Sequence, residues 1–207
     1  MDITPYSRKF ESALVPFIIL CYSRIGRVVE INGKDKDLLN VEQEYCSSGG
    51  NLFILHENWK IIGTIAIKFL STPKGYLGEV HRFYVHPEQQ QKGYGNKLLD
   101  YIYCYAKKRG AAYLRGTTEY RLENAIRLLK ERGAYEIPKY RKSYAEAFFE
   151  WPILANIKKP DFSGYSKNLR DSFWGIEEQY KKTLILNPVE NYPSPEILFP
   201  CASPVHG

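Results

Sequence analysis

The sequence is short of the features that mark several large functional classes. Its four cysteines, Cys21, Cys46, Cys104 and Cys201, include no pair at metal-ligand spacing. No bound metal is therefore expected, and the thiols are expected to be reduced in a cytoplasmic protein. Cys104 falls inside a helical pattern and reads as packed rather than reactive. No positively charged and then apolar segment opens the sequence as a secretory signal would. The longest apolar stretch, residues 13–22, is too short to cross a bilayer and contains Pro16, so no membrane partner is expected. The net charge is +6, yet no run of five basic residues occurs. A nucleic-acid arm is thus not expected, and a phosphate-rich small ligand would account for part of the excess charge. Neither an internal repeat nor a Ser-His-Asp or zinc motif is visible.

What is present is enough to build a core: 44% hydrophobic and 14% aromatic residues over 207 positions. That length suits one domain with an extension, or two small ones. Residues 2–5 read as a short strand. Residues 7–24 carry Phe10, Leu14, Phe17, Ile18 and Cys21 at helical spacing, but Pro16 predicts a break near Val15. Residues 27–31 fit either a strand or a loop. Residues 35–45 predict a short helix with Asp35 or Asp37 near its N-cap. Residues 51–57 and 60–69 predict a hairpin around Asn58, with Ile61, Ile65, Ile67 and Phe69 lining one face. Further on, residues 111–117 read as a strand and residues 121–132 as a helix ended by Gly133. Residues 134–137 and 144–151 read as a final strand pair. Alternating strands and helices with two hairpins give a mixed α/β sheet.

Residues 78–109 organise the rest. Residues 78–85 alternate and are rich in Val, Phe and Tyr, which suits a strand. His86-Pro87 stops it. Leu98, Leu99, Ile102, Tyr105 and Ala106 then mark one face of a long helix. Between them lies Gln90-Gln91-Lys92-Gly93-Tyr94-Gly95. Glycine there permits positive φ and close approach of a ligand to the main chain. The first amides of the helix lack intrahelical partners and sit at the positive end of its dipole. Strand, glycine turn and helix N-terminus together suit a pyrophosphate.

The run Tyr84-Val85-His86-Pro87, then Gln90-x-x-Gly93-x-Gly95, then an amphipathic helix resembles the acetyl-CoA-binding motif of the GNAT superfamily of N-acyltransferases. That family's pattern, Q/R-x-x-G-x-G/A, is met here at all three defined positions. The resemblance covers residues 1–151, apart from the first. It implies a mixed, twisted central sheet flanked by helices, with acyl-CoA wedged where two parallel central strands splay apart. It also implies that the backbone near Tyr84 and Val85 pairs with the pantetheine arm. The amides of Gly93, Tyr94, Gly95 and Asn96 would take the pyrophosphate, with Gln90 and Gln91 lining the turn. Lys92 and Lys97 either reach the phosphates or remain solvated charges. The acceptor is expected to be the primary amine of a small molecule.

Glu79 is the candidate base, directly or through water, because several relatives carry a glutamate at this position. His81 is the alternative, imidazole being the side chain most often used as a general base. Strand alternation places Glu79, His81 and Phe83 on one face, and a bulge near Tyr84, common in this strand of the family, would change that. The family's usual acid, a tyrosine in A-x-x-L-Y-x-x-x-G-F, is absent. Leu129 stands in its place and Ala134 replaces the phenylalanine. Tyr120, Tyr135 or water then remain to protonate the thiolate, or the thiolate leaves unprotonated. The alternative is a domain that binds acyl-CoA without catalysis.

Past Trp151 the composition shifts, and residues 152–171 read as a linker. Residues 172–207 look helical at first. The segment from Lys182 to Pro195, TLILNPVENYPSP after its first residue, resembles the early T-L-x-L-I-x-x-E-N-x-x-S segment of serine hydroxymethyltransferases and related pyridoxal-phosphate enzymes. The resemblance implies an incomplete second domain that does not bind pyridoxal phosphate alone. It leaves room for a fused or partner pyridoxal-phosphate domain and for a homodimer.

Overall fold

The computed structural model describes residues 1–72, 75–137 and 145–153. The strands are β1 (Asp2–Pro5), β2 (Asn51–Glu57), β3 (Lys60–Thr72), β4 (Gly75–Val85), β5 (Tyr113–Glu119), β6 (Tyr135–Ile137) and β7 (Glu146–Pro152). The main helices are α1 (Glu11–Ser23), α2 (Tyr94–Lys108) and α3 (Glu123–Glu131). One sheet of seven strands runs in the order β1-β2-β3-β4-β5-β7-β6. Neighbours are antiparallel except β4 and β5, which are parallel. A parallel pair needs a crossover, and α2 supplies it. This is the mixed α/β sheet that the sequence predicts.

Helices cover both faces. Ile65 and Ile67 of β3 pack with Leu98 and Ile102 of α2. Ala66, between them, packs with Phe17 and Ile18 of α1. Adjacent strand residues point to opposite faces, so α1 lies on one face and α2 with α3 on the other. The stripe Leu98, Leu99, Ile102 and Ala106 of α2 is buried. The helix stops at Gly110, whose φ of 74° lets Ala111 N–H close back onto the Ala106 carbonyl at 3.0 Å. The β2–β3 turn has Asn58 at φ 48° and Trp59 at φ 66°, the paired left-handed residues of a tight hairpin.

Several expectations are corrected. Pro16 does not break α1, which runs through it after a 3-10 turn at Arg8–Phe10. The proline removes the bond to the Ser12 carbonyl. Burial of Leu14, Phe17, Ile18, Cys21 and Tyr22 outweighs that loss. The helix expected over 35–45 is instead a 3-10 turn at Lys36–Leu39 and a π turn at Glu42–Cys46. Asp35 does stand at the N-cap position of the first turn, but its side chain makes no capping bond there. Of the two readings left open for residues 27–31, the loop is the one found. Ile61 does not share a face with Ile65, Ile67 and Phe69, because it packs with the α1 layer. Leu55 pairs with Gly63 and His56 with Ile61, so Ile62 is an extra residue that inverts the alternation.

β7 extends through Pro152, and Ile153 behind it is buried. Tyr144, the rest of the linker and the pyridoxal-phosphate-enzyme-like segment lie outside the described residues.

Candidate functional site

The pairing of β4 with β5 begins at Leu77 with Tyr113 and ends at Val80 with Gly116. Both strands continue, β4 to Val85 and β5 to Glu119. The two therefore splay, and among the described residues the β5-facing edge of 81–85 has no strand partner. An open edge inside a sheet offers main-chain donors and acceptors to an extended ligand.

The chain leaves this edge into a turn at Pro87–Gln89, then enters α2. Gln90 Nε2 donates to the Val85 carbonyl at 3.3 Å, tying the turn to the strand. Gln91 has φ 61° and Gly93 has φ 82°. Gly93 is the N-cap of α2, and a Cβ there would meet nothing within 4 Å. Glycine is needed here for backbone conformation, not for space. Gly95 differs: its Cβ would lie 3.3 Å from Leu128 and 3.5 Å from Phe83. The first helical bond runs from Lys97 N–H to the Gly93 carbonyl. The amides of Tyr94, Gly95 and Asn96 therefore precede the intrahelical ladder and point out of the helix end. Asn96 Oδ1 accepts from Arg132, and Tyr94 packs partly into the core under α2. Lys92 Nζ reaches Gln89 Oε1 at 3.0 Å, and Lys97 Nζ reaches the Met1 carbonyl at 3.1 Å.

The structure brings Glu79 and His81 together, with His81 Nε2 at 3.1 Å from Glu79 Oε2. An ionised carboxylate only accepts, so His81 carries its proton on Nε2 in this pair. The His81 ring lies edge-on to Tyr45, at 6.1 Å between centroids, in the α1 layer. Phe83 does not share their face: it packs beneath α2. The cause is a bulge. Thr64 pairs with Tyr84 but Ala66 pairs with His81, so β4 spends one extra residue there. Arg82 takes φ 49° within it. His81 and Arg82 both project toward α1, and the alternation inverts after them.

Tyr120 lies elsewhere. It packs on the α2–α3 side, and its hydroxyl donates to Glu136 Oε1 at 2.8 Å. Burial pushes the Tyr135 phenol up, and the neighbouring Glu150 adds to this. Leu129 is buried in the core under α2 and α3.

Sequence reasoning missed the cluster around Arg82. Its Nε donates to Asp37 Oδ2 at 2.8 Å. One Nη donates to Tyr22 Oη at 2.8 Å and to Asp35 Oδ1 at 2.6 Å. The other donates to Asp37 Oδ1 and to the Lys34 carbonyl. Tyr45 donates to Asp37 at 2.5 Å, and the Glu30 amide donates to Asp35 at 2.8 Å. The available signal was an arginine within a strand of a covered sheet, which needs acceptors wherever it is shielded from water.

Burial alone would raise the Asp35 carboxyl, but bonds from the Glu30 amide, Arg82 and Tyr22 outweigh it and hold the group below its ordinary range. Asp37 is likewise lowered against burial, by Arg82 and Tyr45. Both bind protons more weakly folded than unfolded. Their contribution to stability is full above the unfolded value, about 4, and is lost as pH falls through the lower folded value. The melting temperature is expected to hold from pH 7 to about pH 5 and to fall below about pH 4. In Asp37→Asn that acid fall should be shallower. Circular dichroism melts across this range check it, and parallel curves for the two proteins would contradict it.

The family model described as acetyltransferase (GNAT) family matches residues 26–134. No curated protein matches the sequence. Among solved structures, a GNAT-family acetyltransferase from Staphylococcus aureus Mu50 has TM-score 0.66 at 20% identity, covering 74% of this chain and 99% of that one. PaiA N-acetyltransferase from Thermoplasma acidophilum, in complex with coenzyme A, has TM-score 0.62 at 17% identity, covering 73% and 98%. The yncA protein of Salmonella typhimurium, with its cofactor acetyl-CoA, has TM-score 0.57 at 20% identity, covering 78% and 98%.

Proposed function

Since this chain belongs to the GNAT family of acetyltransferases, we propose that it transfers the acetyl group of acetyl-CoA to the primary amine of a small molecule. The observation that carries this reading is the splay. The open edge of 81–85 leads directly into a helix whose N-cap, Gly93, has φ 82°. The edge would pair with the pantetheine arm, and the amides of Gly93, Tyr94, Gly95 and Asn96 would hold the pyrophosphate. The acceptor would approach from the α1 face, where Glu79 and His81 lie. Its nitrogen attacks the thioester carbonyl carbon while Glu79, directly or through water, takes the amine proton. The C–S bond then breaks and the electron pair leaves on sulfur. The thiolate takes its proton from water or from a tyrosine. Tyr120, bonded to Glu136, and Tyr135, bonded to Glu150, are the protein donors considered.

A second reading has one observation in its favour: Leu129, in the position of the usual acid, is buried at 8% exposure and cannot donate a proton. On that reading the domain binds acyl-CoA without turnover, as a regulatory part of a longer fusion with a pyridoxal-phosphate enzyme.

Calorimetric titration with acetyl-CoA tests the first step. Saturable binding by the wild type and its loss in Gly93→Trp are expected, because an indole would cover the helix end and strain a left-handed position. Equal binding by both proteins would remove the turn from the site. Release of free thiol with an amine panel then separates the two readings.

A further inference from the structure

We propose that Arg82 is a positioning residue for acetyl transfer, an inference that rests on the acyltransferase reading above. Arg82 sits where β4 parts from β5, in a left-handed conformation that a non-glycine residue keeps only when its surroundings hold it there. The surroundings do so completely. All five guanidinium N–H groups have acceptors: Asp37 takes two, and Tyr22, Asp35 and the Lys34 carbonyl take one each. Its own carbonyl accepts from the Thr64 hydroxyl at 2.8 Å. The side chain is 9% exposed; its bonds to Asp35, Asp37 and Tyr22 are partly shielded from water, and only the one to the Lys34 carbonyl lies at the surface.

The acceptors come from other parts of the fold. Tyr22 belongs to α1, while Asp35 and Asp37 belong to the segment between α1 and β2. Tyr45, at the end of that segment, secures Asp37, and Tyr84, two residues past Arg82, reaches the Tyr22 hydroxyl at 3.5 Å. One guanidinium therefore joins α1, residues 34–37 and the bulge into a single polar unit. The bulge decides which way the edge of 81–85 is offered to a ligand in the splay. It also decides that Glu79 and His81 project toward α1. Arg82 touches neither thioester nor amine. It holds both halves of the site in register, and it links occupancy of the splay to the order of the α1–β2 segment.

The test uses the full chain with Arg82→Lys, the milder Tyr22→Phe, and Leu14→Ala as a control that weakens the same layer without touching the cluster. Lysine keeps the charge but not the planar fork that bonds two carboxylates at once. Acetyl-CoA affinity is read by calorimetry, and amide exchange of residues 27–46 with and without saturating acetyl-CoA. The wild type should show slower exchange in 27–46 when acetyl-CoA is bound. In Arg82→Lys that slowing should be lost and affinity should fall about tenfold, one well-placed buried hydrogen-bond pair. Tyr22→Phe should show a smaller fall in the same direction. Leu14→Ala should lose thermal stability while keeping both responses. Wild-type affinity and ligand-dependent slowing retained in folded Arg82→Lys or in Tyr22→Phe would overturn the inference alone. Absence of acetyl-CoA binding by the wild type would overturn the acyltransferase reading and this inference with it.

Discussion

Glu79→Gln is expected to lower kcat/KM by about two to four orders of magnitude, the usual contribution of a positioned base, while acetyl-CoA affinity keeps its wild-type value. The substitution is nearly isosteric. The glutamine carbonyl can still accept from His81 Nε2, now 3.1 Å from the carboxylate, so the α1 face keeps its shape. Only the capacity to take a proton is removed. Affinity is spared because Glu79 lies on the α1 face of β4, whereas the proposed ligand contacts are main-chain groups of 81–85 and the amides at the start of α2. Steady-state release of free thiol against pH measures it. The wild-type kcat/KM should rise through the titration of the base, and that rise should vanish in the variant. Unchanged turnover would take Glu79 out of the reaction and leave His81 as the group to examine.

The second large effect concerns stability. Arg115 on β5 faces Glu150 on β7 in register. Its Nε donates to Glu150 Oε1 at 3.0 Å and one Nη donates to the same oxygen at 2.5 Å. Glu150 has 1% of its side chain exposed. Arg115→Met takes the cation from a carboxylate that water cannot reach, and about 3–5 kcal/mol should be lost. Arg115→Met combined with Glu150→Leu removes both desolvated charges but also the acceptor of the Tyr135 hydroxyl, and should recover part of that loss. Urea denaturation midpoints of the two single variants and the double variant measure this. A double variant as weak as the worse single one would show that the pair itself, not the stranded charge, carries the stability.

Local features were legible in the sequence and distant pairings were not. The stripe on α2 from Leu98 to Ala106, the glycine stops at Gly110 and Gly133 and the Asn58 hairpin depend on neighbours along the chain, so spacing exposes them. Gly93 at the head of α2 belongs with them. The bulges were harder. Ile62 and Arg82 are ordinary residues with no glycine or proline to flag an inserted position, so the alternation rule carried Ile61 to the wrong face, and for Phe83 only the family resemblance pointed to a bulge near Tyr84. Asp35 and Asp37 look like helix caps because acidic residues before a helical turn usually are. Their partner is Arg82, 45 to 47 positions away, and nothing in local spacing announces it. Pro16 misled in the opposite sense, since a local rule was overridden by the apolar layer that α1 buries.

Strand β4 can be read as a message whose frame changes at residue 82. Before it, odd positions such as Leu77, Glu79 and His81 belong to the α1 face. After it, the odd positions Phe83 and Val85 belong to the α2 face. Losing one residue there would act as a frameshift does in a coding sequence. Every other letter would survive, but upstream of the deletion each would fall on the opposite layer. Glu79 and His81 would be driven beneath α2 while Val80 turned outward. The site thus depends on a count as much as on a composition, and a comparison of relatives that closes the gap at 82 would align chemically unlike faces.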